Sequence, residues 1–262
     1  MLKKTPNILL LSLLVAWCPL SAQVRLPKLI SDGMVLQRDA DVNIWGWASP
    51  GEKVLVHFMG AVYGTKADKD GAWQVPLSPL KAGGPYDMLV QATNEIKISD
   101  ILVGDVWICS GQSNMELPMR RVSPIYADDI AQSGNPFIRH FSVPQRYDFN
   151  TPQQDLPAGV WKSADPENVL AFSAVAYFFA KELYEVNKVS VGLINASLGG
   201  SPAEAWMSEE ALKTFPAPYR ELQQFKDSTL IREIESSDNA RIGAWYRLLW
   251  QKDEGYKNPG QT

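Results

Sequence analysis

The stretch GDVWICSGQSNMELPM, Gly104 to Met119, decides how the second part of the chain is read. Val106, Trp107, Ile108 and Cys109 form a short apolar run, as expected of a strand covered on both faces, and the strand is placed at Asp105 to Ser110. It ends in Gly111-Gln112-Ser113-Asn114, residue types that turn a chain because they tolerate unusual backbone angles or hydrogen-bond their own backbone. A hydroxyl at that point has two readings. Ser113 is either a turn residue without chemistry, or a nucleophile displayed at the carboxyl end of a parallel strand, where open α/β sheets gather their ligands.

Downstream, SAVAYFFAKELYEVN (Ser173 to Asn187) sets Val175, Phe178 or Phe179, Leu183 and Val186 at helical spacing. The apolar run in VSVGLINASLGGS then ends in Gly199-Gly200, and Pro202 and several acids open a further helical segment. Helix, strand, glycine turn and helix make the pattern of a parallel sheet covered by helices. Between the two strands, Pro118 to Gly159 reads as irregular connections around one short strand, FIRHFSV. From about residue 226 the sequence is charged and weakly periodic.

Upstream the pattern differs. From Val24 to about Ser99, short alternating runs are broken at Ser49-Pro50-Gly51, Asp70-Gly71 and Gly83-Gly84-Pro85, as in a small β-sandwich. Trp45 and Trp47 share one strand face there, suited to core packing or, if exposed, to stacking on sugar rings. The expected organisation is a signal peptide at 1–22, a β-sandwich domain at 23–100, and a parallel-sheet domain at 101–262 with an ill-defined tail.

The signal-peptide reading rests on Lys3 and Lys4, an apolar run from Ile8 to Leu20, and the small residues Ser21 and Ala22. The run is shorter than the roughly 20 residues that span a bilayer, so secretion or periplasmic export without stable membrane insertion is expected. Bulky Trp17 before Cys18 argues against lipid attachment. Cleavage after Ala22 loses two lysines and no acid, taking the formal charge from -4 to -6. With Lys and Arg scattered, nothing forms a basic stripe for nucleic acid. One cysteine, Cys109, then remains, so an intrachain disulfide is excluded. His57 and His140 lie far apart without metal-ligand spacing, and no metal or cofactor is implied.

As chemistry, a serine hydroxyl needs a base within hydrogen-bond reach and donors aimed at the oxyanion. Gly111 permits a tight turn before Ser113, whose backbone N–H would be one donor; Gly199 and Gly200 would let a substrate approach backbone N–H groups, or serve packing alone. Met115 replaces the second glycine of the Gly-x-Ser-x-Gly elbow, which excludes that motif.

VGDVWICSGQSNMELPM and VGLINASLGGSPAEAWMS, with ISDGMVLQRDADVNIWGWASPGE and KDGAWQVPLSPLKAGGPYDM upstream, closely resemble bacterial sialate O-acetylesterases, members of the SGNH serine esterases. The likeness runs from about Leu29 to Leu212. It implies a β-sandwich followed by part of an SGNH-type α/β hydrolase, with Ser113 as nucleophile and Gly199, Gly200, Gln112 and Asn114 as oxyanion or substrate-binding residues. It implies a secreted carbohydrate esterase that removes O-acetyl groups from sialic acid, with acetylxylan or another glycan as the alternative substrate and a non-catalytic carbohydrate-binding fragment as the alternative role. Relatives carry, further along, a Gln-Gly-Glu-Ser-Asn segment and an Asp-x-x-His segment that supplies the base. Neither occurs here, which implies a missing carboxyl-terminal hydrolase segment.

Overall fold

The computed structural model describes residues 23–253. The expected signal peptide lies outside them. Ten strands run in chain order: β1 Val35–Gln37, β2 Val42–Trp47, β3 Lys53–Phe58, β4 Ala61–Lys66, β5 Ala72–Leu77, β6 Gly83–Gln91, β7 Glu95–Gly111, β8 Asn135–Ser142, β9 Trp161–Ala164 and β10 Val191–Ser197. The helices are α1 Ser113–Glu116, α2 Met119–Val122, α3 Ala127–Ala131, α4 Ala174–Asn187, α5 Glu209–Leu212, α6 Pro216–Phe225 and α7 Ser228–Lys252.

One strand organises the fold. The expected strand at Asp105 to Ser110 is the second half of β7, which has 17 residues and passes through the expected boundary at 100/101. Its first half pairs antiparallel with β6; its second half pairs parallel with β10, from Asp105 opposite Val191 to Gly111 opposite Ser197. The large mixed sheet therefore has the order β4-β3-β6-β7-β10-β8-β9, with β1 also on β7, while β2 and β5 form a separate antiparallel pair. β6 stays paired as far as Val103 and β10 takes over from Asp105; Asp100, with a left-handed φ of 60°, sits between Ile98 and Ile101, where the β6–β7 register shifts.

The core crosses the same boundary. Ile44, Val75 and Leu77 of the β2–β5 pair share one buried cluster with Val54, Val56, Met88 and Val90 of the large sheet, and with Phe141 and Trp161 of β8 and β9. Trp73 is in that cluster, whereas Trp45 packs at its margin and Trp47 lies under the Arg25 guanidinium at 4.1 Å. Buried Arg139 of β8 donates to both carboxylate oxygens of Asp100, at 2.7 and 3.0 Å, and to the Pro136 carbonyl at 2.6 Å.

Helix α4 forms as its spacing predicts, but its buried side is Ala174, Ala176, Tyr177 and Ala180. Val175, Phe179 and Val186 are exposed. Phe178 and Leu183 of the expected face pack, partly buried, against the cluster that holds these alanines, so the buried side is turned from the expected one and not opposite to it; the alanines allow close approach to the sheet. Ser173 caps the helix, accepting from the Ala176 N–H at 3.2 Å. Two short helices, α2 and α3, occupy part of the stretch expected to be irregular, and the tail from 226 is mostly α7, which buries no side chain.

Candidate functional site

The site is a meeting of two strand ends. β7 and β10 finish side by side, and the Leu198 N–H donates to the Gly111 carbonyl at 2.9 Å, so the turns after both strands emerge together. Gly111 has φ 144° and Gly200 has φ 77°, left-handed backbone that favours glycine at both bends. After Gly111 the chain enters α1, one helical turn with Gln112 as its cap residue and Ser113 as its first residue. Ser113 is exposed, and its backbone N–H belongs to the set that a helix start leaves without an intrahelical partner.

Ser113 and the glycine turn are neighbours. A Cβ on Gly199 would lie 3.5 Å from the Ser113 Oγ and 2.5 Å from a Glu116 carboxylate oxygen, so the absence of a side chain lets the turn sit against the serine. Gly200 faces open space. The Gln112 side-chain amide donates to the Ser201 carbonyl, tying the residue before the serine to the residue after the glycines. Asn114 is exposed on α1. All five site residues expected from sequence therefore lie on these two adjoining turns.

Sequence reasoning missed Glu116 and Gln145. The Gly199 N–H donates to Glu116 Oε2, and Gln145 Nε2 donates to Glu116 Oε1 at 2.8 Å. The only local signal was misleading: Ser113-x-x-Glu116 has the spacing of a capping box, in which the glutamate would turn back to its own helix start. Glu116 reaches across to the other turn instead. Beyond it, Ser201 Oγ donates to the Leu198 carbonyl at 2.7 Å and accepts from Trp206 Nε1 at 2.9 Å, which secures the exposed indole to the glycine turn.

No histidine lies beside Ser113. His57 is on β3, within 3.3 Å of the Gln91 side chain. His140 is level with Leu193 and hence with Trp107, four residues before Gly111, which places it roughly 13 Å back along the strands and two strands away. It is buried and stacked on Phe172, with ring centroids 4.4 Å apart, and burial lowers its pKa to about 4. It is a neutral core residue at pH 7. Cys109 is buried, and desolvation raises its thiol pKa, so it offers no reactive thiolate.

The parallel strand is uncovered on one side. β1 pairs with β7 at Leu102–Gly104, and Gln37 Oε1 accepts from the Val106 N–H at 2.8 Å. From there to Gly111, β10 is the only strand paired with β7 among the described residues. Ile108 is 73% exposed, although parallel strands are ordinarily covered on both faces.

Residues 103–251 match the family model for carbohydrate esterase, sialic acid-specific acetylesterase. The sialate O-acetylesterase of Homo sapiens is 34% identical over 227 residues, and that of Pongo abelii 33% over 230; each alignment covers 78% of this chain and 43% of the relative. A solved carbohydrate acetylesterase from Xanthomonas citri is 43% identical, with a TM-score of 0.70, over 72% of this chain and 43% of that one. The chain thus spans less than half the length of the relatives it matches. The family match takes in both site turns and more than half of the sequence, and on that basis this chain belongs to the carbohydrate esterases of the sialic acid-specific acetylesterase family.

Proposed function

We propose that the chain carries the nucleophile half of a secreted serine esterase of SGNH type, acting on O-acetylated sugars and in particular on O-acetyl sialic acid. The observation that carries this reading is the placement of Ser113 at the carboxyl end of a parallel strand, against the Gly199-Gly200 turn. The Ser113 Oγ attacks the acetyl carbonyl carbon and its proton passes to a base; the bond to the sugar oxygen breaks, and the sugar leaves as its alcohol. Water then hydrolyses acetyl-serine to acetate and restores the hydroxyl. The Ser113 N–H and the Gly200 N–H, which has no intramolecular partner among the described residues, are the donors assigned to the oxyanion; the Gly199 N–H is already engaged by Glu116. Gln112 and Asn114 flank the serine as substrate-binding residues.

A histidine base is the part not supplied, since neither His57 nor His140 reaches the serine. The greater length of the relatives supports a further hydrolase segment as its source. General-base help is typically worth 10² to 10⁴-fold, so residues 23–262 alone should turn over well below the roughly 10 per second of a working enzyme. The test is acetate release by the purified chain from O-acetylated sialic acid and from acetylxylan, with Ser113→Ala as control. Slow, Ser113-dependent release that favours the sialic acid supports the reading. Preference for acetylxylan would change the substrate class, and sugar binding with no Ser113-dependent release from either would favour a carbohydrate-binding fragment.

A further inference from the structure

We propose that Glu116 is a positioning residue that holds the glycine turn against the nucleophile; the proposal rests on reading Ser113 as the esterase serine. Glu116 stands one helical turn after Ser113, so its backbone moves with the nucleophile. Its two carboxylate oxygens are divided between two other segments. Oε2 accepts from the Gly199 N–H, and Oε1 accepts at 2.8 Å from Nε2 of Gln145, in the loop after β8. Gln145 Nε2 also lies 3.4 Å from the Ser197 carbonyl, at the end of β10. One side chain thus joins α1, the glycine turn and the loop after β8.

The role follows from what the turn lacks. The turn is tied at its two ends, Leu198 to Gly111 and Ser201 to Gln112 and to the Leu198 carbonyl, but between them Gly200 makes no close contact at its Cβ position, so little packing fixes the glycine pair itself. Two successive glycines also leave its backbone freer than any other pair of residues would. A charge-assisted hydrogen bond to Gly199 restricts that freedom and sets where the next N–H, that of Gly200, points. Donors gain most when held in place before reaction, because no reorganisation is then needed as charge develops on the oxyanion. Gln145 in turn keeps the carboxylate from swinging to solvent.

The test uses the full chain and four proteins: wild type, Ser113→Ala, Glu116→Ala and Glu116→Gln. Amide hydrogen exchange of the peptide spanning residues 198–201 is read alongside Ser113-dependent hydrolysis of 4-nitrophenyl acetate. Glu116→Ala should speed exchange of that peptide roughly tenfold or more without change in the β2–β5 region. It should lower kcat roughly tenfold or more, with KM within about twofold, because the held donors act on charge that develops only in the transition state. Glu116→Gln should restore both to within about threefold, since an amide oxygen still accepts from Gly199 and the Gln145 amide can turn to accept from the new NH₂ group. Unchanged exchange in Glu116→Ala would overturn the hold. Faster exchange with unchanged kcat would leave Glu116 a structural residue and overturn its positioning role. No Ser113-dependent hydrolysis in wild type would overturn the esterase reading itself, while the exchange arm still judges the hold.

Discussion

At the scale of single residues, two adjacent glycines serve for different reasons. Gly199 is held by space: a methyl there would meet Glu116 at 2.5 Å and approach the Ser113 hydroxyl. Gly200 is held by backbone: its φ of 77° is unfavourable for any residue with a Cβ, yet the space is open. Gly200→Ala should therefore cost about 1 to 2 kcal/mol of stability in denaturant unfolding. Gly199→Ala should reduce Ser113-dependent turnover more than stability, and the reverse ranking would show that crowding at the serine is unimportant. His140 gives a pH test. Its folded pKa, about 4, lies below the ordinary 6.5, so between those values the unfolded chain binds a proton that the folded one refuses. The associated stability is complete above pH 6.5 and is lost as pH falls towards 4. Between pH 7.5 and pH 5 the loss should be about 2 kcal/mol in wild type and absent from His140→Leu, measured by urea unfolding. A pH dependence unaltered in that variant would contradict the buried neutral histidine. The two turns that carry Ser113, Gly199 and Gly200 were legible in sequence because turn chemistry is local. Glu116 was not, because its partner lies 83 positions away.

At the scale of elements, the two ends of β7 illustrate what patterning can and cannot show. The apolar run of Val106 to Cys109 marks a strand, but Glu95 to Asp100 alternates as a half-exposed strand does, so the change in pattern reads as a boundary where the backbone in fact continues. A strand passing from an antiparallel neighbour to a parallel one changes its burial pattern without ending. Likewise the helical spacing gives α4 correctly, while the choice of buried face depends on how closely it approaches the sheet. The Arg139–Asp100 pair ties β8 to β7 at this junction, with Arg139 buried and the Asp100 side chain about half exposed. Removing the arginine leaves the Pro136 carbonyl without that donor and loses a forked, charge-assisted contact. Arg139→Ala should cost about 2 to 3 kcal/mol in denaturant unfolding, and Arg139→Lys should recover only part of it because an ammonium cannot make both bonds in the same geometry. A loss below about 0.5 kcal/mol would show that the pair is not a structural tie.

At the scale of the whole molecule, the described residues form a large mixed sheet and the separate β2–β5 pair, with a well-buried amino-terminal side and a sparsely covered site side. Trp107, Ile108, Val175 and Phe179 are exposed, and α7 carries Trp245, Leu248, Leu249 and Trp250 without burying any of them. No helix among the described residues is long and apolar enough to cross a membrane. Local opening should be easiest where burial is least, so limited proteolysis should first remove α6 and α7 and leave a fragment that extends past β10. A resistant fragment ending near Ser99 would instead indicate that β7 does not unite the two parts. The esterase chemistry itself is tested most directly as a covalent bond. 4-Nitrophenolate leaves readily, so acylation of Ser113 by its acetate ester depends less on a base than the attack of water on acetyl-serine does, and the intermediate should accumulate. Brief exposure of the chain to 4-nitrophenyl acetate, acid quenching and peptide mass spectrometry should find one acetyl group on Ser113. Ser113→Ala should show none, while unfolding within about 0.5 kcal/mol of wild type, as expected for an exposed side chain. An acetyl group on another residue instead, or hydrolysis by Ser113→Ala as fast as by wild type, would contradict Ser113 as the nucleophile.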